Sequence, residues 1–549
     1  MKIEIGLVLG GTVSAGAYTA GALDFLLQAL AALEAKRNSG DADAPSHQPI
    51  IAAASGSSGG GICAAQIAIA ATRRQTPIAD PANPPPAWEN PPYRMWTGAE
   101  LSYEAFIDPS DLTGGNPGPD RPLSVLNGAV RESFGNIAFV ADDRPADLAY
   151  IADPLPIAVA TTTLRGVPYS IRFVTDKAPG DPGFDRQDMR FHHDHLRFSW
   201  SRTGQAPSGT ILLDPTQFPR ELVNLPQAAG WRDLRAAALA TSAFPLVFPA
   251  YPLEKPRAAY DDHLADTAGP VDPDWPTHGG PDHRFYAVDA GTVNNEPLEL
   301  TRSALVGPGG SFAGSANSVD KLILMIDPLG GGGLPEPSHQ FFDLLSQIVG
   351  ALVQNSRFKP SELLAVRGES IFSRHLLTPT RQTATGQIAD QALASDLLAA
   401  FFGFFHADLR RHDYFLGRWN AWRFLKNHFV LPAGHPAFAG WTDPTSAVTK
   451  RIDGQVMNCR PIVPLYGDAA PEPARASWPH LDPNLFTPQL KQRTANRIGL
   501  LAQRIAGANP AQDPNLLLAA VMSVAKGEIA NWIEASVEHA IRTINDSPA

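Results

Sequence analysis

The stretch from Ile50 to Ala71 constrains this chain more than any other. An apolar run ending near Ala54 leads into Gly56-Ser57-Ser58-Gly59-Gly60, and a segment of small and apolar residues follows to Ala71. Pro49 to Ala54 reads as a buried strand and Gly59 to Ala71 as a helix, so a G-x-S-x-G sequence falls at a strand-to-helix junction. In such an elbow the serine takes a sharp turn, and the flanking glycines let neighbouring backbone pass without Cβ clashes. Ser58 is therefore expected to project from the carboxyl edge of a sheet, supported by Gly56 and Gly60. The free N–H groups at the start of the following helix favour negative charge developing at the same spot.

The residues before it follow the same grammar. Ile3 to Leu9 is a mostly apolar strand, and Ala15 to Glu34 carries Leu23, Leu26, Leu27, Leu30 and Leu33 on one helical stripe. Strand, helix, strand, helix implies a parallel sheet with right-handed crossovers. Further strands are expected at Ile157 to Thr161, Tyr169 to Val174, Arg284 to Val288 and Leu322 to Ile326, with a helix at Trp231 to Thr241. The prolines between Thr76 and Pro92 argue against helix or central strand, and Asp108 to Pro122 repeats the pattern. About 76–122 thus reads as an insertion. Beyond Gly333 helical stripes dominate, at Phe341 to Leu352, Leu393 to Phe401, Leu485 to Ala506 and Leu516 to Ile544. The expected architecture is an α/β core over 1–330, three layers built on a mainly parallel sheet, and a mostly helical region over 331–549.

Composition narrows the function. The chain has 549 residues, 44% of them hydrophobic, enough for a large core. Its 44 basic against 55 acidic residues give a net charge of −11, which argues against nucleic acid as a partner. Cys63 and Cys459 lie far apart, without the spacing of a disulfide framework or a zinc knuckle. The opening MKIEIGLVLGG reads as a first strand and not a signal peptide, and no window offers the ~18 unbroken apolar residues of a spanning helix. A cytoplasmic protein is expected, with any lipid contact made peripherally from the surface.

Two further segments complete a candidate site. Gly10-Gly11-Thr12-Val13-Ser14-Ala15-Gly16 places a glycine-containing turn between the first strand and first helix, beside Ser58. Such a turn can hold an oxyanion or a phosphate through backbone N–H groups. It does not fit a dinucleotide fingerprint, because Val13 interrupts the glycine pattern. A base for Ser58 is sought next. His375, His412 and His428 fall in helical, Arg-rich or aromatic surroundings, whereas Asp289 of Asp289-Ala290-Gly291 stands at the carboxyl end of an expected strand, where ligands bind in open α/β sheets. A carboxylate can take a serine proton if burial raises its basicity.

Taken in order, these motifs resemble those of the patatin-like phospholipases. Gly10-Gly11 through Gly16-Ala17-Tyr18 resembles their oxyanion loop, Gly56 to Gly60 their serine elbow, and Asp289-Ala290-Gly291 their aspartate turn. Ala240 to Pro249, with its Phe-Pro segment, resembles the stretch they carry in between. The resemblance covers about Ile3 to Ile326. It implies a Ser58–Asp289 dyad, an oxyanion loop of Gly10, Gly11, Thr12, Val13 and Gly16, and Gly291 as a supporting glycine. It also implies hydrolysis of a lipid or other acyl ester through an acyl-enzyme, without metal or organic cofactor. The chain departs from the family pattern at Thr12 and Val13, where glycines are usual, at Ala15, where a cation is usual, and at Ala290. An acyl transferase or soluble-ester hydrolase is an alternative with the same dyad. A lipid-binding scaffold with an eroded anion loop is an alternative of another class.

Two signals remain. His193 and His195 would share one strand face, as metal ligands do, but with no further ligand at a recognisable spacing the segment reads as an exposed polar loop or edge strand. The aromatic stretch from Phe401 to Phe429, interleaved with Arg410, Arg418 and Arg423, suits a membrane surface or an acyl chain, yet the spacing of Phe415, Trp419 and Trp422 favours packing onto the core.

Overall fold

The structure is a computed structural model. It describes residues 1–548 apart from 114–122, 140–143, 174–177, 179–185, 220–224, 226, 262–271, 278–279, 314, 331–346, 348–350, 352–353, 358–370, 444–446, 453–454 and 508–514. The expected helix at Phe341 to Leu352 therefore lies almost wholly outside the described residues.

The first four elements are β1 (Lys2–Leu9), α1 (Gly16–Asn38), β2 (Gln48–Gly56) and α2 (Gly59–Thr72). Next come α3 (Pro91–Thr97), the short α4 (Tyr103–Phe106) and α5 (Ser110–Thr113), and α6 (Gly128–Ala138). Then follow β3 (Leu155–Arg172), β4 (Arg186–Trp200), β5 (Ile211–Leu213), α7 (Ala229–Thr241), β6 (Tyr251–Pro256), β7 (Asp282–Val288), α8 (Leu298–Val306) and β8 (Lys321–Ile326). Strands β1 to β8 and β9 (Arg374–Leu377) form one sheet, ordered β5-β4-β3-β2-β1-β8-β9, with β7 pairing both β3 and β6. The centre, from β3 through β2, β1 and β8 to β9, is parallel.

Alternation along β1 shows how the layers form. Ile3, Ile5, Leu7 and Leu9 face a core shared with α1, α2 and α7, while Val8 faces Leu298 and Leu305 of α8 on the other side. Gly6 lies on the α8 face, where a Cβ would strike Thr301 and Leu305. The result is a three-layer α/β fold.

The second half adds α9 (Ala407–Asn427), a three-stranded antiparallel sheet of β10 (Val430–Pro432), β11 (Val448–Ile452) and β12 (Gln455–Pro461), and two long helices, α10 (Pro488–Gly507) and α11 (Asn515–Asp546). Helix α1 is sandwiched between the sheet and α9. A Cβ at Gly21 would strike the Tyr414 carbonyl, and one at Gly417 the Tyr18 carbonyl, so the two backbones meet through paired glycines. Arg418 and Asp24 form a buried ion pair across this contact, and the Tyr18 hydroxyl donates to Asn420 at 3.1 Å. Among the described residues one helix, Val13–Asn38, is long and apolar enough to cross a membrane, and the larger part of it is buried in this sandwich.

Several expectations need correction. The strands expected at Ile157 to Thr161 and Tyr169 to Val174 are one strand, β3, whose register with β4 shifts between Thr162 and Val167. The His193–His195 segment is strand, not loop, and it is not exposed: it pairs with Ala160–Thr162 of β3, β5 joins β4 only at Phe198–Trp200, and buried Asp194 accepts from Lys255 and Tyr260, both at 2.7 Å. The Pro-rich insertion contains α3, because Pro91 and Pro92 occupy its first turn, where a missing N–H costs nothing, and Asn90 caps it. Leu393 to Phe401 is no helix, since Leu398, Ala399 and Ala400 all have positive φ. The region after 331 contributes β9 to the core sheet and a small sheet of its own, so it is less purely helical than its stripes imply. Phe415 and Trp419 pack inward, as their spacing suggests.

Candidate active site

Strand β2 ends at Gly56 and α2 begins at Gly59, leaving Ser58 in the turn with φ 54° and ψ −129°. A non-glycine residue held there costs on the order of 1–3 kcal/mol. The turn is held by the Ser58 N–H donating to Thr241 Oγ1 at 2.8 Å and the Ser57 N–H donating to the Leu9 carbonyl at 3.1 Å. A Cβ at Gly56 would strike the Gly60 carbonyl, and one at Gly60 the carbonyls of Leu9 and Gly10. Both glycines are thus demanded by close backbone approach.

Asp289 follows the last residue of β7 and caps a single 3-10 turn over Ala290–Thr292. Its Oδ2 accepts the Ser58 hydroxyl at 2.5 Å, and its Oδ1 accepts the Gly291 N–H at 2.7 Å. Its backbone is fixed by its N–H donating to the Ala243 carbonyl at 2.8 Å and by the Thr162 hydroxyl donating to its own carbonyl at 2.9 Å. Only 3% of Asp289 is exposed. Burial pushes its carboxyl up to about 6, against the opposing pull of the Ser58 and Gly291 hydrogen bonds and the Arg131 charge.

The loop after β1 divides its donors. The Gly10 N–H donates to the Ile326 carbonyl at 3.0 Å and the Gly11 N–H to the Asn295 carbonyl at 3.2 Å. Gly16 closes the 3-10 turn over Val13–Ala15, its N–H turned back to Ser14 and Val13. These three expected loop residues therefore have committed N–H groups. Gly11 and Gly16 are needed for room, since a Cβ would strike Asn295 and Trp96 respectively. The N–H groups of Thr12 and Val13 have no partner among the described residues. Val13 adopts φ 49° and lines the same cleft as Ser58 and Gly59. The β-branched residue has thus taken the left-handed conformation that glycine adopts freely.

Ser58 and Asp289 line a narrow apolar cleft of about 60 Å³. Its walls include Ile62 and Trp96, Phe106 and Phe134, Phe244 and Phe248, and, from the second half of the chain, Phe401 and Phe404. The last two are held in place by Ser14, whose N–H and Oγ both donate to the Ala400 carbonyl, and by Arg410. The buried Arg410 guanidinium donates to the carbonyls of Trp96 and Gly98, each at 2.7 Å, and to that of Gly403. Among the described residues, no histidine lines the cleft. His375 lies in β9, its Nε2 3.0 Å from the Phe372 carbonyl.

Arg131 lines the cleft and was not singled out from the sequence. Helical spacing marks Arg131, Phe134, Gly135 and Ala138 as one face of α6, where all four are buried, but it does not tie that face to the site. Arg131 places a cation in the cleft lining from an element other than the loop that carries Ala15. Among the described residues, no group of three or more His, Cys, Asp or Glu side chains is placed to hold a metal ion.

No protein-family model matches the chain. It is 30% identical to the uncharacterized protein y4iI of Sinorhizobium fredii (strain NBRC 101917 / NGR234), over an alignment of 577 positions spanning 96% of this chain and 80% of that protein. The chain belongs to the same family as that protein.

Proposed function

We propose that the cleft is the active site of a serine hydrolase that cleaves carboxylic esters of apolar acyl chains, using Ser58 and Asp289 without histidine. The observation that carries this reading is the 2.5 Å hydrogen bond from the Ser58 hydroxyl to a buried carboxylate whose basicity burial has raised. The motif resemblance to the patatin-like phospholipases supports it, as does the aromatic lining, which suits an acyl chain.

In this mechanism Ser58 Oγ attacks the ester carbonyl carbon while Asp289 Oδ2 takes its proton. The resulting oxyanion is met by the N–H groups of Thr12 and Val13 and by the N-terminal end of α2. The proton passes to the departing alcohol as the tetrahedral intermediate collapses. Water, deprotonated by Asp289, then releases the acid and restores Ser58. The test is hydrolysis of p-nitrophenyl octanoate by folded variants, with fluorophosphonate labelling alongside. Ser58→Ala and Asp289→Asn are each expected to lower kcat by at least ~10³-fold, and the probe to label Ser58 alone. Unlabelled folded protein, or activity surviving in either variant, would rule the dyad out and favour a lipid-binding role.

A further inference from the structure

The cleft is apolar apart from a few groups, and one of them is a guanidinium. Arg131 is 6% exposed and lines the same cleft as Ser58 and Asp289. Its Nη1 donates to the Pro249 carbonyl at 2.9 Å, and its guanidinium carbon lies 5.6 Å from the Tyr251 ring centroid. Its Nε is buried without a hydrogen-bond partner among the described residues. The adjacent Glu132 is turned to Arg235, at 2.8 Å. Asp289, the carboxylate in the cleft lining, has its oxygens engaged by Ser58 and Gly291.

A dry guanidinium with donors to spare is costly unless an anion joins it, and its planar fork matches two oxygens of one carboxylate or phosphate. The cleft walls include Phe106, Phe134 and Phe248, with no second cation among the described lining residues. The site is therefore built for an amphiphile with a single negative head close to an apolar chain. We propose that Arg131 is the charge-selecting residue of the cleft, holding an anionic oxygen group of the acyl compound that binds there. This rests on the cleft being the acyl-ester site proposed above, and it adds which esters that site prefers. The charge also complements the step at Asp289. When that carboxylate takes the serine proton and becomes neutral, a negative group on the ligand leaves Arg131 still balanced.

The test is calorimetric titration of the intact chain with decyl phosphate, decanoate and decanol, together with inorganic phosphate. At least one of the two charged amphiphiles is expected to bind ten times or more tighter than decanol. Whichever binds tighter identifies the head group, and weak binding of inorganic phosphate would show that the chain is needed too. In Arg131→Gln the preference for charge is expected to fall at least tenfold. Arg131→Lys, which keeps the charge without the fork, should restore part of it. Thermal melting of each variant separates lost selection from lost fold. Equal binding of decanol and both charged amphiphiles by the wild-type chain overturns the proposal without any variant, and so does a preference that survives in folded Arg131→Gln. Charge selection that depends on Arg131 in a protein whose Ser58 is not labelled by fluorophosphonate would instead retain this inference and remove the hydrolase reading.

Discussion

A serine hydroxyl yields its proton to a carboxylate only where water has been kept from stabilising that carboxylate. Asp289 meets this condition through burial, and its elevated value near 6 sets a pH dependence whose sign follows directly. In the proposed role as a base it would work only when ionised, so kcat/KM for a neutral ester is expected to rise as pH climbs through about 6 and to level off above. A pH series between 4.5 and 9 measures this, and a rate that falls across the acidic limb as pH rises would contradict the role. The same residues show what was legible beforehand. Ser58 and Asp289 could be read because each ends a strand inside a glycine-marked turn. Arg131 could not be read as part of the site, because its helix starts beyond a Pro-rich stretch and the elements that meet it come from Phe244–Tyr251, more than a hundred residues later.

At the scale of elements, α1 and α9 approach so closely that each presents a glycine to the other's backbone. The obstacle to a side chain is a carbonyl, which cannot rotate away as a flexible side chain could. Gly417→Val is therefore expected to destabilise the protein by about 1–3 kcal/mol or more through overpacking. A chemical denaturation curve reads this, and an unchanged midpoint would argue against the contact. Elements with a clean apolar period and a glycine boundary, such as β1, α1, β2 and α2, were readable from the chain alone. Strand β4 was not, because its buried polar residue Asp194 is satisfied by Lys255 and Tyr260, partners that lie some sixty residues downstream. Leu393 to Phe401 misled for the opposite reason. Leucines at helical spacing are equally well buried by an irregular turn, and three consecutive positive φ values show that the chain took that route.

For the molecule as a whole, the boundary suggested near residue 330 marks a change in pattern but not a seam. Strand β9 completes the sheet beyond it, Arg357 pairs with the buried carboxylates of Glu296 and Asp327 beside the loop after β1, and α9 covers α1. A chain ending at residue 330 is expected to aggregate or to melt without cooperativity, because α1 would expose Tyr18, Gly21, Ala22 and Phe25 and leave the buried Asp24 without its Arg418 partner. A soluble 1–330 protein with a sharp melting transition would overturn that expectation. The link from Ser14 to the Ala400 carbonyl carries this interdependence into the cleft itself. It ties the segment bearing Phe401 and Phe404 to the turn bearing Thr12 and Val13. Widening the entrance for a bulkier guest therefore also disturbs the groups that would steady the reacting oxygen. In the proposed hydrolase, the size of ester admitted and the rate of its cleavage would be coupled through this one contact, and adaptation could not reset either alone.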